Sequence, residues 1–330
     1  MKRTAAAILL TGAAASAVLL AVRFGATGAV DTGATLRVLL GGGSYDERLI
    51  VLELRLPRAL LGLLVGGGLA MAGATFQALL RNPLAEPYIL GLSGGAAAGA
   101  ISVLVLGLGA GAGWALPVAA FGGALVAIFL VFRVAAAADR TLDVRVLLLA
   151  GVVVGAFFTA VVAFVLSIAE AQLLRNAMQW MMGSLAMAYW PDVLVAAAYT
   201  LPAAALLLGL SRALNAIAVG EETASYLGTD VERVKRVGFA VASLITAAGV
   251  AVAGIIGFVG LIVPHAVRLV VGSDHRALLP LSFLAGGTFL TLADLVARTA
   301  RPPTEIPLGV VTAFVGVPLF LVLLRRSASR

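Results

Sequence analysis

Residues 214–236, LNAIAVGEETASYLGTDVERVKR, carry seven charged side chains (Glu221, Glu222, Asp230, Glu232, Arg233, Lys235 and Arg236) between two long, almost uncharged runs. A segment with this much charge does not lie in hydrocarbon. It is also rich in helix formers, with Gly220 just before EETASYL and Gly228 where such a helix would stop. The reading is two short helices on a membrane surface with Gly228 as the break. The alternative is a plain solvated connector, but connectors are usually short and need no helices of their own.

The flanking runs set the fold class. Of 330 residues, 62% are hydrophobic and 12% charged, whereas a soluble domain has roughly 45–50% apolar and about 25% charged residues. The chain is therefore an all-α polytopic membrane protein, read as one domain over 1–330. Its 38 glycines suit helices whose backbones pack closely in lipid. With no cysteine there is no disulfide, thiolate metal site or cysteine nucleophile. The net charge of +7 is better explained by a cytoplasmic excess of Lys and Arg than by nucleic acid.

Residues 1–22, MKRTAAAILLTGAAASAVLLAV, have the form of a signal peptide and equally of a first spanning helix. The apolar run continues to Phe24, so a retained helix is expected. The Gly-rich segment 25–56 is placed outside the membrane. Further spans are expected near 57–80, 88–109, 114–134, 145–167, 190–211, 237–256, 258–272, 277–297 and 307–324, about ten in all, with a tight bend at Gly254, Gly257 and Gly260. On that topology about fifteen of the 23 Lys and Arg share the side of the termini and about eight face the other side, so both termini and the 214–236 loop are expected in the cytoplasm. Gly62 and Gly66, Gly91, Gly95 and Gly99, and Gly151 and Gly155 recur four apart, the spacing of close helix contacts. No G-x-x-x-x-G-K-[ST] occurs, so the chain has no P-loop of its own.

Five stretches in order resemble one family: 55–99 (RLPRALLGLLVGGGLAMAGATFQALLRNPLAEPYILGLSGGAAAG), WMMGSL at 180–185, the 214–236 loop, 257–280 (GFVGLIVPHAVRLVVGSDHRALLP) and 293–326 (ADLVARTARPPTEIPLGVVTAFVGVPLFLVLLRR). Together they are similar to the FecCD-type permeases, membrane subunits of ATP-binding cassette importers for iron-siderophores, haem and cobalamin. The resemblance implies a ten-span subunit of type II importer architecture in the cytoplasmic (inner) membrane, working as a homodimer. It also implies two ATPase subunits that bind ATP and Mg, and a periplasmic or lipid-anchored substrate-binding protein. It implies no cofactor or metal on this chain, and no catalysis by it.

Residue by residue, the resemblance makes 214–236 the coupling element seated on the ATPase, with Gly220, Glu221, Glu222, Ala224, Tyr226, Leu227 and Gly228 as the contact. It makes Arg55, Arg58 and Arg298 docking cations for carboxylates of the binding protein, against a simpler reading as snorkelling side chains. In RNPLAEP (81–87) it places Asn82 and Leu84 near an inner gate, where Pro83 and Pro87 otherwise only break the helix. Phe158 and Thr159 match the other part of that gate. Phe158 stands where the cobalamin importer has a small residue, which implies an apolar plug, while Thr159 has its own helix backbone as an alternative partner. Arg175 is a candidate for an anionic group of the substrate, against a pair with Glu170 or simple exposure. Asp294 and Arg298, four apart, are expected to pair. His265 reads as a structural, hydrogen-bonded residue, and His275 as solvated on the cytoplasmic rim. WMMGSL leans towards the haem and cobalamin members.

Two rivals fit less well. An ion-coupled secondary transporter needs mid-membrane carboxylates or histidines, and the spans offer almost none. An intramembrane enzyme needs a converging catalytic set, which two histidines do not supply.

Overall fold

The computed structural model describes residues 2–25, 28–108, 113–138 and 143–328. Helix α1 (Lys2–Arg23) leads into a short antiparallel pair, β1 (Phe24–Gly25) and β2 (Gly28–Ala29), then α2 (Thr32–Leu39) and α3 (Tyr45–Arg48). A π-wound segment, Leu49–Arg55, continues α3 into α4 (Leu56–Leu79). A 3₁₀ turn, Pro87–Leu90, precedes α5 (Leu92–Leu106), α6 (Ala115–Ala138), α7 (Val144–Ser167), α8 (Ala171–Met181) and α9 (Trp190–Gly209). Two short helices come next, α10 (Ser211–Val219) and α11 (Glu221–Tyr226), and then α12 (Val231–Ala253), α13 (Val259–Val271), α14 (His275–Thr299) and α15 (Leu308–Ala328).

Every apolar run expected to span is helical. By length and composition, seven stretches are able to cross a membrane: α1, Tyr45–Leu79, α6, α7, α9, α12 and α14. Helices α5 and α13 and the apolar part of α15 are shorter. Segment 25–56 is more ordered than its glycines suggest. Its last residues prolong α4 into one rod of 35 residues, roughly 50 Å at 1.5 Å per residue. Hydrocarbon is only about 30 Å thick, so a rod of this length outruns it. Helix α8 was not expected. It packs Ala177 inward and leaves Arg175 and Met178 exposed.

Helix α4 is the axis of the bundle. It is apolar on every face, and almost all of its residues are buried, as required of a helix enclosed by others. Gly62, Gly66 and Gly67 face α14, Gly68 faces α9 and α12, and Gly73 faces α13. A Cβ added to Gly66 would overlap the Gly286 carbonyl, and one added to Gly286 would overlap the Gly66 carbonyl. One turn on, Thr291 Oγ1 donates to the Ala59 carbonyl at 3.3 Å. The spacing expected from sequence thus marks true backbone contact, and the same device joins α5 to α6 at Gly95, Gly99 and Gly123.

Two polar links orient the bundle. Arg3 pairs with Asp274 at 2.8 Å, and Arg298 Nη2 donates to the Ala21 carbonyl at 2.6 Å. The starts of α1 and α14 therefore share one end of the bundle, the near end, and their finishes share the other, the far end.

The bend between α12 and α13 is present, and its free backbone groups have named partners. Phe258 N–H donates to Glu86 Oε1 at 2.7 Å, and Ile256 N–H to the Tyr88 hydroxyl at 3.3 Å. Glu86 and Tyr88 come from the turn after α4, so a helix broken inside the bundle is satisfied by protein rather than water.

Replacing Gly66 by Ala should lower thermal stability in detergent by about 1–3 kcal/mol, since neither backbone can move aside cheaply. Gly122→Ala, where a Cβ meets nothing within 4 Å, should leave the melting temperature unchanged or slightly raised.

Candidate functional site

At the near end α10 and α11 form a rigid surface element. Helix α10 buries Ser211, Leu214 and Ile217, one side of a short helix. Gly220 then turns the chain into α11, whose Ala224 is buried. The break between the two short helices is thus Gly220, not Gly228, and the chain beyond Gly228 enters the first turn of the spanning α12. Gly228 ends α11 as expected. It takes φ +80°, its N–H donates to Ser225 at 2.9 Å, and Thr229 N–H donates to Ala224 at 3.0 Å. That pair of bonds is the Schellman closure, which suits a residue without a Cβ.

Of the acidic pair, Glu221 does not face outward as a free contact. Both its oxygens accept from Lys235 Nζ at 3.0 Å. Lys235, on α12, is only 1% exposed, so the bond clamps α11 to the first turn of α12. Glu222 accepts from the Tyr226 hydroxyl at 3.3 Å. Tyr226 is 83% exposed and Leu227 73%, and these two project from the near end. Beside them Arg81, Asp143, Arg145 and Gly220–Thr223 line a polar cleft of about 550 Å³.

Asn215 of α10 reaches the start of α14. Its Nδ2 donates to Asp274 Oδ1 at 2.8 Å, and its Oδ1 accepts from His275 N–H at 2.8 Å and lies 2.7 Å from His275 Nδ1. His275 is therefore buried at the N-terminus of α14 rather than solvated. His265 Nδ1 is buried with no hydrogen-bond partner among the described residues, so the expected bond is not made at that nitrogen.

The far end holds the three arginines singled out from sequence, but turned inward. Arg58 gives Nε and Nη2 to Asp294 at 2.8–3.1 Å, and Nη1 and Nη2 to Glu305 at 2.8 and 2.7 Å. Such two-pronged pairing is the strong mode of guanidinium–carboxylate contact. Arg298 lies 3.5 Å from Asp294, the expected four-apart pair. Arg55 Nη1 donates to Val22 and Arg23 carbonyls at 3.2 and 2.6 Å. With Arg298 on Ala21, two guanidinium groups close the C-terminus of α1, where unpaired carbonyls favour cations. Arg55 is 5%, Arg58 8% and Arg298 2% exposed, so neither snorkelling nor open display describes them.

Asn82 Oδ1 accepts from Leu84 N–H at 2.9 Å, a local turn in which Leu84 is exposed. Thr159 Oγ1 donates to the Gly155 carbonyl at 2.9 Å. Thr159 lines a groove of about 350 Å³ with Ser93, Gly94, Gly151 and Gly155, and Phe158 is buried against Phe157. A larger apolar groove of about 630 Å³ runs between Phe258 and Gly309, Ala313 and Val317 of α15. Both grooves touch Met181 and Ile255. Arg175 is exposed and makes no ion pair with Glu170 or any other described residue. No group of His, Asp and Glu placed to hold a metal occurs among the described residues.

A helical membrane bundle with a capped surface helix at one end and apolar grooves within it has the build of a permease. The chain belongs to the FecCD transport family, which matches residues 9–326. It is 48% identical over 284 residues to the cobalamin import system permease protein of Halobacterium salinarum, covering 86% of this chain and 75% of that protein. It is 41% identical over 281 residues to the hemin transport system permease protein of Yersinia pestis, covering 84% of each. Its fold matches a metal-chelate type ABC transporter in an inward-facing conformation, with TM-score 0.86 and 30% identity over 97% of this chain and 98% of the other.

Sequence reasoning missed Asn215, Lys235, Glu86 and Glu305 as partners. Each is a polar residue next to a stronger local signal. Lys235 stands in the charged run VERVKR, and only the fold turns it inward.

The Asp294 carboxylate lies between Arg58 and Arg298, so Asp294→Asn should cost roughly 3–5 kcal/mol of stability, the size expected when a buried pair loses one partner. Hydrogen bonds from Arg58 hold the Glu305 carboxyl below its ordinary value of 4.5. A carboxyl so depressed stabilises the fold above its unfolded value and loses that contribution as pH falls through the folded one. Stability measured against pH should therefore drop below about 4.5 in the wild type, and Glu305→Gln should flatten part of that drop.

Proposed function

We propose that the chain is the translocation subunit of an importer that moves a large rigid chelate (an iron chelate, haem or cobalamin) inward across the cytoplasmic membrane. The seven long helices together with α5, α13 and α15 make ten spans, with both termini and α10–α11 in the cytoplasm. Two copies enclose the path, two ATPase subunits sit on α11, and a substrate-binding protein meets the far end. ATP and Mg are held by the ATPase, since this sequence has no P-loop.

The observation that carries this reading is α11. It is closed by Gly228, clamped by Lys235 and presents Tyr226 and Leu227 outward. A free surface helix so short is unstable by itself, and rigidity is what an element needs to pass on a push. Tyr226, Leu227, Glu222 and the adjoining cleft form the ATPase contact, while Glu221 and Ala224 hold the helix in place. At the far end a carboxylate of the binding protein would compete with Glu305 for Arg58, and Arg55 and Arg298 support that site from beneath. The grooves are lined by small and apolar side chains, a surface that lets a rigid ring slide without trapping it. Arg175 stands ready for an acidic group on the substrate, and Asn82, Leu84, Phe158 and Thr159 remain the candidates for the inner constriction.

The relative of 48% identity is named for cobalamin and that of 41% for hemin, which supports offering both. Vesicles holding the chain with its ATPase, and binding protein outside, should accumulate cobalamin or haemin only with ATP inside. Uptake driven by an ion gradient without ATP would refute the reading. Tyr226→Ala with Leu227→Ala should leave the fold intact and cut ATP-driven uptake by on the order of tenfold or more, as loss of central contact side chains does.

A further inference from the structure

Asn215 joins the surface element to the start of a long helix through three hydrogen-bond contacts. An amide oxygen only accepts, so His275 bears its proton on Nδ1, and both amide ends of Asn215 are committed to the same helix start. Asp274 is the N-cap of α14, where it also accepts from Arg276 N–H at 3.1 Å. Asn215 donates to Asp274 Oδ1, and Arg3 of α1 donates to Oδ2. The cap is thus held from two sides, by α10 and by α1.

The packing beyond the cap makes the link consequential. Helix α14 packs backbone to backbone on α4 at Gly66 and Gly286. Two adjacent backbones in contact leave little room for one helix to slip past the other. At the far end α14 carries Asp294, which holds Arg58 of α4 and Arg298 of its own helix, and Arg58 in turn holds Glu305. Glu305 stands in the loop that enters α15, and α15 walls the larger groove with Gly309, Val310 and Ala313.

We propose that Asn215 is a positioning residue that transmits displacement of α10–α11 to α14, and so to the far-end arginine cluster and the α15 wall of the groove. Glu221–Lys235 carries the same displacement into α12. The proposal rests on the functional reading in which α11 receives the push of an ATPase. If Asn215 served only to stabilise the α14 cap, Arg3, which holds the same carboxylate from α1, would be its equivalent.

The test compares Asn215→Leu with Arg3→Gln in vesicles containing the complete importer. The readouts are uptake of cobalamin or haemin (whichever the wild type accumulates), ATP hydrolysis and melting temperature. Asn215→Leu keeps the branching at Cγ and loses all three bonds. It should retain hydrolysis within about twofold and lose substrate moved per ATP by on the order of tenfold, the usual size of a coupling between sites. Arg3→Gln should keep that ratio within about twofold of the wild type. Asn215→Ser, which cannot span both partners, is read in the same way if the apolar variant does not fold. An unchanged ratio in the Asn215 variants, or uptake, hydrolysis and melting temperature falling together, overturns the proposal alone. A wild-type complex that hydrolyses ATP without uptake of either ring overturns the functional reading, and the proposal with it.

Discussion

Backbone contact between α4 and α14 is the constraint on which the rest of the bundle depends. In lipid no hydrophobic force draws helices together, so association rests on close packing and on polar bonds. Gly66 and Gly286 let two carbonyl-bearing backbones meet directly. With α4 enclosed by α9, α12, α13 and α14, its apolar character on all faces becomes necessary. The outer helices then differ from it in a readable way. In α7, Leu147, Ala150, Gly151, Val154 and Phe158 form the buried stripe, while Leu149, Val152, Val153 and Phe157 are apolar yet exposed. Such a helix is packed on one side and leaves an apolar face uncovered on the other.

Polar residues are placed where that packing leaves backbone unpaired. The α12–α13 break exposes N–H groups that Glu86 and Tyr88 accept, and the end of α1 exposes carbonyls that Arg55 and Arg298 satisfy. In both cases the side chain comes from a distant element. The polar bond therefore fixes the tertiary arrangement as well as satisfying the helix end.

The helices were legible because hydrocarbon demands long apolar runs, and the ten runs read from sequence all proved helical. Gly254, Gly257 and Gly260 announced the bend correctly. The helical continuation of α4 back through Leu49–Arg55 to Tyr45 was not legible, because the glycines at 41–43 and the charges of YDER placed the segment outside the membrane, while Ser44 caps a helix that begins at Tyr45. Within the site, the end of α11 at Gly228 was readable from one residue type, since a left-handed position favours glycine. The fates of Glu221 and of the three arginines were not. Charge in a sequence says that a group needs water or a partner, and it does not say which. Glu221 found Lys235 fourteen residues on, and Arg58 found Asp294 and Glu305 more than two hundred residues away. Partners so distant in sequence are set by the packing of α4 on α14.

The placement of charge then obeys one plan. Along α14 the ionisable groups gather at its two ends, Asp274, His275 and Arg276 at one and Asp294 and Arg298 at the other, with Gly286 and Gly287 packed on α4 between them. Ionic groups at the middle of a bilayer are costly, whereas at its edges they pair or meet water. A helix that is ionic at both ends and close-packed at its centre is fixed to different neighbours at each end. Asn215 and Arg3 hold the near end, and Arg58 and the α1 carbonyls hold the far end. Such a helix resists stretching and sliding, and its close-packed centre leaves tilting of the whole rod as the motion open to it.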